Sequence, residues 1–403
     1  MSIEIRICGP DDLPAALTPI FHYFGRTPNE QTMERFGPIL PPDRVHAASE
    51  NGSIVGSGGV FPFETSVPGG FVRAAGVTLV GVLPTHRRRG ILRQLMRAQL
   101  DDVHERGEPI AYLWASDDTI YGRFGYGIAS FTGGIEVRLD RSRFQREFES
   151  EGRFRPVDVD AAVEVFSGIQ RRAAEQHPGM FVRTPDWWRA KRLPDPEWAR
   201  EGGGEMQRIL LELDGRPAGY ALYRLHWSSD VGVPTGFVNV IEAVGDSPEA
   251  TRELWRFLLD TDWMDSAKAQ LLPLDHELLL LVAEPRRLNF GVHDGLWVRI
   301  VDVEAALGAR TLRDGEPVVL EITDEFCAWN AGRWRVGREG AERTDADAEI
   351  ALDVSGLGSL YLGGFTFAQL ARTSRAEELV AGAVERADDL FRTDRYPWCP
   401  EIF

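Results

Sequence analysis

The chain has 403 residues, 43% hydrophobic and 27% charged, with a formal net charge of −17. That length is too great for one ordinary core, so two or three domains are expected. The acidity argues against nucleic acid, which needs clustered Lys and Arg to meet its phosphates, and favours cationic small molecules.

No secretory h-region opens the chain and no apolar run of about 18 residues occurs, so no membrane partner and a cytoplasmic location are expected. Cys8, Cys327 and Cys399 lie far apart, which suggests neither a disulfide framework nor a zinc site. The eight histidines form no HxH or HExxH pair, so no metal is expected.

The chain opens as mixed α/β. Residues 3–7 alternate as a strand, and Asp11 and Asp12 start a helix over 10–17. Strands at 45–48 and 54–60 flank Asn51-Gly52, a strong hairpin signal. A strand at 77–82 runs into VLPTHRRRGILRQL (82–95), after which Ile91, Leu92, Leu95, Met96, Leu100 and Val103 follow helical spacing. Residues 110–114 form the next buried strand, followed by the glycine- and aromatic-rich YGRFGYG (121–127).

The same order returns about 160 residues later: strand, Asp214-Gly215 turn, strand, then a strand at 238–244 leading through Gly245 to Pro248 into a helix. This second turn carries Asp246 and Glu249 where the first has arginines, so it reads as a structural copy that binds no anion. Beyond about 291 the pattern changes. Strands are expected at 296–301, 318–322, 327–330, 333–336 and 350–354, and helices at 303–310, 355–361, 367–372 and 376–386. The chain ends WCPEIF (398–403), apolar where termini are normally polar; a docked tail is one explanation.

The arginines carry the chemistry. A helix N-terminus already bears about half a positive charge, so Arg87, Arg88, Arg89 and Arg93 are misplaced there unless an anion binds. Gly90 permits close backbone approach, and helix N–H groups suit phosphate. A solvated basic helix end is the plainer reading. No Walker A or GxGxxG fingerprint accompanies the turn.

Arg-Arg-x-Gly between strand and helix resembles the pyrophosphate loop of GCN5-related N-acetyltransferases (GNAT). Together with SDDTIYGRFGYG (116–127), GLGSLYLGG (356–364) and the aromatic terminus, it resembles the Eis (enhanced intracellular survival) family over nearly the full chain. The resemblance implies an α/β (α+β) fold. Residues 1–150 would form a GNAT domain binding acetyl-CoA and 151–292 a degenerate second GNAT-like domain. Residues 293–403 would form a domain resembling sterol carrier protein 2. It also implies a hexamer and an acetyl-CoA-dependent N-acetyltransferase acting on primary amines of aminoglycosides, polyamines, arylalkylamines or lysine.

By the same resemblance, Val80, Gly81 and Val82 hold the pantetheine arm, and Arg88, Arg89, Gly90, Ile91, Leu92 and Arg93, with Arg87 added, hold the pyrophosphate. Ser116 and Asp117 are further cofactor contacts. Tyr121 is the general acid, although residues alone do not separate it from Tyr126. The C-terminal carboxylate of Phe403 is the base; its ordinary pKa near 3.5 would rise on partial burial. Substrate walls match Phe21, Tyr23, Phe24, Phe36, Trp114 and Glu401, although the aromatics also fit an ordinary core. This wall holds fewer acids than the family pattern, which tells against polycationic aminoglycosides. A hydrophobic-ligand carrier or a non-catalytic CoA-binding regulator is the alternative function.

Overall fold

The hairpin expected at Asn51-Gly52 forms between strands Val45–Glu50 and Ser53–Val67, with both turn residues at positive φ, as the tight turn requires. It seeds a seven-stranded sheet ordered Glu4–Ile7, Val45–Glu50, Ser53–Val67, Gly70–Val82, Ile110–Trp114, Leu296–Ile300, Gly127–Ile128. All neighbours are antiparallel except Gly70–Val82 and Ile110–Trp114. These two run parallel because helix Ile91–Glu105 carries the chain back between them. That helix buries Ile91, Leu95, Met96, Leu100 and Val103, the face read from the spacing.

The computed structural model describes residues 3–403, which separate into two units. The first runs to Ser130 and resumes over Gly295–Asp394 and Ile402–Phe403; the second comprises Phe131–Asp294 and Arg395–Glu401.

The second unit repeats the first design. Its sheet is ordered Gly291–Asp294, Phe131–Arg138, Ser266–Leu272, Phe237–Gly245, Arg216–His226, Gln207–Leu213, Arg153–Pro156. Here too a single parallel pair, Phe237–Gly245 with Ser266–Leu272, is joined through a helix, Pro248–Leu259. Sheet membership cuts across the divisions expected near 150 and 292. Phe131–Arg138 pairs in the second sheet and Leu296–Ile300 in the first. These pairings are non-local, and no change of composition announces them.

Within the first unit, residues beyond Asp302 build a five-stranded sheet ordered Gly340–Arg343, Gly332–Gly337, Val318–Thr323, Ile350–Asp353, Ala376–Glu378. Helices Val303–Ala309, Val354–Tyr361, Phe367–Arg372 and Ala383–Phe391 accompany it. Two expectations fail here. Residues 376–386 are not one helix: Ala376–Glu378 is an edge strand on Ile350–Asp353, and the helix starts only after Gly382, at φ 84°. Residues 327–330 are not a strand. The Asp324 carboxylate accepts the Phe326 and Cys327 N–H groups and the Asn330 side-chain amide, which winds Ala328–Asn330 into a tight helical turn.

Candidate functional site: a cleft between two parallel strands

Strands Gly70–Val82 and Ile110–Trp114 pair only through Ala74–Ile110, Ala75–Ala111 and Gly76–Tyr112. Past Gly76 the longer strand continues to Val82 without a partner on that side. Its pairing with Ser53–Val67 slips between Ser57 and Gly59, and Leu79 takes φ 55°. Such a bulge bends a strand and strengthens its twist. The sheet therefore splits into a cleft, edged by the backbone of Val80, Gly81 and Val82, which pairs with Ser53–Val67 on one side only. Gly81 also has a packing reason to be glycine: a Cβ would lie 2.9 Å from the Ile20 nitrogen.

The arginine turn follows. Arg88 (φ 61°) and Gly90 (φ 77°) are both left-handed, and Gly90 is the N-cap of the helix. No side chain caps this helix, and its first N–H groups have no intrahelical acceptor. Uncapped donors, left-handed backbone and exposed arginines fit a bound anion. The arginines are not equivalent. Arg89 is paired to Glu50 at 2.6 Å, and Glu50 also takes His86 at 3.0 Å. This pair holds the Glu50 carboxyl down to about 2. Ile91 is core, packed with Ala48, Val55 and Leu95, and Leu92 is half-buried; each can offer only its backbone N–H. Ser116 is exposed, and the Asp117 carboxylate turns back to accept the Thr119 N–H and hydroxyl, which lowers its pKa.

The two tyrosines differ in what surrounds them. They stack edge to face, with centroids 5.8 Å apart. Tyr126 is 1% exposed, its hydroxyl is buried without a partner, and burial pushes its pKa far up. Tyr121 is 7% exposed and packs in the same cluster as Val77, Leu113 and Val80, beside the cleft. Burial pushes its phenol up to about 12.

The chain terminus arrives at the cleft's closed end. The Phe403 ring, in a residue 9% exposed, packs edge-on against Tyr112 at 4.9 Å and Phe63 at 5.1 Å. Tyr112 belongs to the last pair before the strands part, and its hydroxyl accepts from Thr65 at 2.7 Å. Phe63 and Thr65 lie beyond the strand expected at 54–60, and Tyr112 reads as an ordinary residue of the strand expected at 110–114, so none carries a local signal.

Among the expected substrate residues, Phe21 and Phe36 pack edge to face at 6.1 Å and both are half-buried. Tyr23 donates its hydroxyl to the Val82 carbonyl at 2.7 Å, beside the cleft strand. Phe24 is exposed, and Trp114 is half-buried with its indole N–H unpaired. Glu401 corrects the expectation. It is 4% exposed, and its carboxylate is held within the second unit by Arg183 at 2.7 Å and the Trp187 indole at 3.0 Å. A carboxylate so committed is not available to an incoming amine.

The copy of the turn in the second unit behaves differently. Asp246 accepts from Arg172 at 2.8 Å and Arg216 at 2.7 Å, and Ser247 caps helix Pro248–Leu259. A carboxylate of the chain and a side-chain cap occupy the roles that an anion could take at Gly90. Among the described residues no group of three or more His, Cys, Asp or Glu is placed to hold a metal, and no helix is long and apolar enough to cross a membrane.

Residues 4–129 and 179–300 each match a family described as acetyltransferase (GNAT) domain, and 303–400 a sterol carrier protein domain. The chain is 38% identical to an uncharacterized N-acetyltransferase of Streptomyces avermitilis over all of both chains. It is 31% identical to the N-acetyltransferase Eis of Mycobacterium tuberculosis, covering 97% of this chain and 98% of that one. Among solved structures it resembles Eis1 from Mycobacterium abscessus, with TM-score 0.87, 35% identity and coverage of 99% of this chain and 100% of that one. Two GNAT folds followed by a sterol-carrier-type domain, matched along the whole length, identify the chain as an N-acetyltransferase of the Eis family within the GNAT superfamily, whose members use acetyl-CoA.

Proposed function

We propose that the cleft in the first unit transfers the acetyl group of acetyl-CoA to a primary amine of a small amphipathic or cationic acceptor. The observation that carries this reading is the parallel pair that opens past Gly76 and Tyr112. An uncapped, arginine-rich helix start follows its longer strand, Tyr121 packs beside it, and Phe403 sits at its closed end. Pantetheine would lie along Val80–Val82, and the pyrophosphate would meet the N–H groups from Gly90 to Arg93 with Arg87 and Arg88. Arg89 would contribute less, because Glu50 already pairs with it. Ser116 and Asp117 stay as outer cofactor contacts.

In the reaction the amine nitrogen attacks the thioester carbonyl carbon, the C–S bond breaks, and an amide and CoA thiol result. The Phe403 carboxylate takes the proton that the amine loses. Tyr121 supplies one to the departing sulfur. A free thiol has a pKa of about 8.5 and a free phenol about 10. Burial raises the Tyr121 phenol, which keeps it protonated and able to donate.

Phe21, Tyr23, Phe24, Phe36 and Trp114 supply the acceptor wall in this reading. With Glu401 committed to Arg183, that wall is short of carboxylates. An arylalkylamine, with one charge and an aromatic ring, therefore suits it better than a polycationic aminoglycoside or polyamine. The family's hexamer belongs to the same proposal. Replacing Tyr121 by Phe tests it: kcat should fall about 100-fold or more while acetyl-CoA Kd changes less than twofold. Full kcat in Tyr121→Phe would remove the tyrosine from the reaction.

A further inference from the structure

The glycine-rich motif at 356–364 is absorbed by nothing above. Its helix, Val354–Tyr361, is buried at every residue and lies against the turn that carries Tyr121. The contact is too close for side chains. A Cβ on Gly127 would overlap the Ser355 carbonyl, and a Cβ on Gly358 would overlap the Val298 carbonyl. Gly127 and Val298 are themselves register partners between strands Gly127–Ile128 and Leu296–Ile300. The glycines of YGRFGYG and GLGSLYLGG are thus two halves of one packing surface.

A second support lies under the same turn. Gly125, at φ 83°, leaves no room for a Cβ: Val354 Cγ1 would be 2.8 Å away and the Arg299 guanidinium 2.9 Å. Arg299 is fully buried (0% exposed); its Nη2 donates to both Asp324 oxygens at 2.9 and 2.7 Å, and its Nη1 donates to the Ile300 carbonyl at 2.8 Å. Phe124 packs edge-on against Phe326 at 5.2 Å. Tyr121, Gly125 and Gly127 lie within seven residues of continuous chain, so the turn has little freedom once these contacts form.

We infer that this glycine-packed helix and the Arg299–Asp324 pair are the platform that positions Tyr121 for acid catalysis. Gly358 and Arg299 are positioning residues, and the sterol-carrier-type domain takes part in acetyl transfer by shaping the acid's turn. The inference rests on the proposed role of Tyr121.

The test is a double-mutant cycle on the full chain. Gly358→Ala and Arg299→Lys are made in the parent and in Tyr121→Phe. kcat is read at saturating acetyl-CoA with an aminoglycoside, spermidine or phenethylamine, whichever gives most acetylated product, and Kd for CoA by calorimetry. Alanine favours a helix over glycine, and lysine keeps the charge without the second guanidinium arm that reaches the Ile300 carbonyl. In the parent, each should lower kcat about tenfold or more with CoA Kd within about twofold. In Tyr121→Phe, each should add almost nothing, because one function has already been lost.

Equal losses in both backgrounds, or folded variants with unchanged kcat, would overturn the inference. Full kcat in Tyr121→Phe alone marks failure of the tyrosine reading instead. Should Gly358→Ala not fold, Arg299→Lys decides.

Discussion

Appending one glycine after Phe403 should silence the enzyme while leaving its cofactor site intact. The extension converts the Phe403 carboxylate into a neutral amide. It also moves the new carboxylate about 3.3–3.6 Å along the chain, while a general base must sit about 2.6–3.2 Å from the atom it serves. General-base catalysis contributes typically about 10²–10⁴-fold, or about 2.7–5.4 kcal/mol at 1.36 kcal/mol per decade. If the ring also leaves its place on Tyr112 and Phe63, burial worth about 3–5 kcal/mol is lost as well. Phe403→Leu is the control. It keeps the carboxylate at the same residue and most of the apolar volume, so kcat should fall less than about tenfold. The assay is CoA thiol release at saturating acetyl-CoA and amine, with the intact mass confirming that the extension persists. A glycine-extended protein within about threefold of parent kcat would refute the assignment.

Three further outcomes follow from the geometry. Arg88→Gln should raise acetyl-CoA Kd about tenfold, in the range of one charge-assisted hydrogen bond, and Arg89→Gln should raise it less, since Glu50 already holds that guanidinium; calorimetry at low and high salt reads both. Glu242→Gln should destabilise the second unit by about 1–3 kcal/mol, because buried Arg183 loses one of its two carboxylate partners while keeping Glu401, and the contact with Arg192 weakens; a lowered calorimetric transition is the check. His177 and His276 are each held down to about 4 by burial, so protonation favours the unfolded chain. Their contribution is full above about pH 6.5 and is lost as pH falls toward 4, at most about 1.4 kcal/mol per pH unit for each. A thermal midpoint that stays flat between pH 6.5 and 4.5 would contradict this.

The arginine turn was legible because its signals are local: charge of the wrong sign at a helix start, followed by glycine. The duplicated design was legible for the same reason, since each hairpin, turn and crossover helix announces itself within about fifty residues. Other features depend on distant chain. What separates Tyr121 from Tyr126 is burial set by residues around Arg299 and Phe326, far along the sequence. Glu401 is expected in the substrate wall from its place near the terminus, and only Arg183 and Trp187, more than 200 residues earlier, make it a buried anchor. At 376–386, helical composition lost to the free edge of Ile350–Asp353, which takes Ala376–Glu378 as a strand. The exchange of Phe131–Arg138 and Leu296–Ile300 between sheets leaves no trace in composition, because both read as strands wherever they pair.

Product mass tests acetyl transfer in the first unit's cleft. The parent protein is incubated with acetyl-CoA and, in turn, an aminoglycoside, spermidine, phenethylamine and a lysine peptide, alongside Tyr121→Phe. An acetylated amine is expected with at least one acceptor, most from phenethylamine, with product reduced about 100-fold in the variant. No acetylated product from any amine, or equal product from parent and variant, would contradict it.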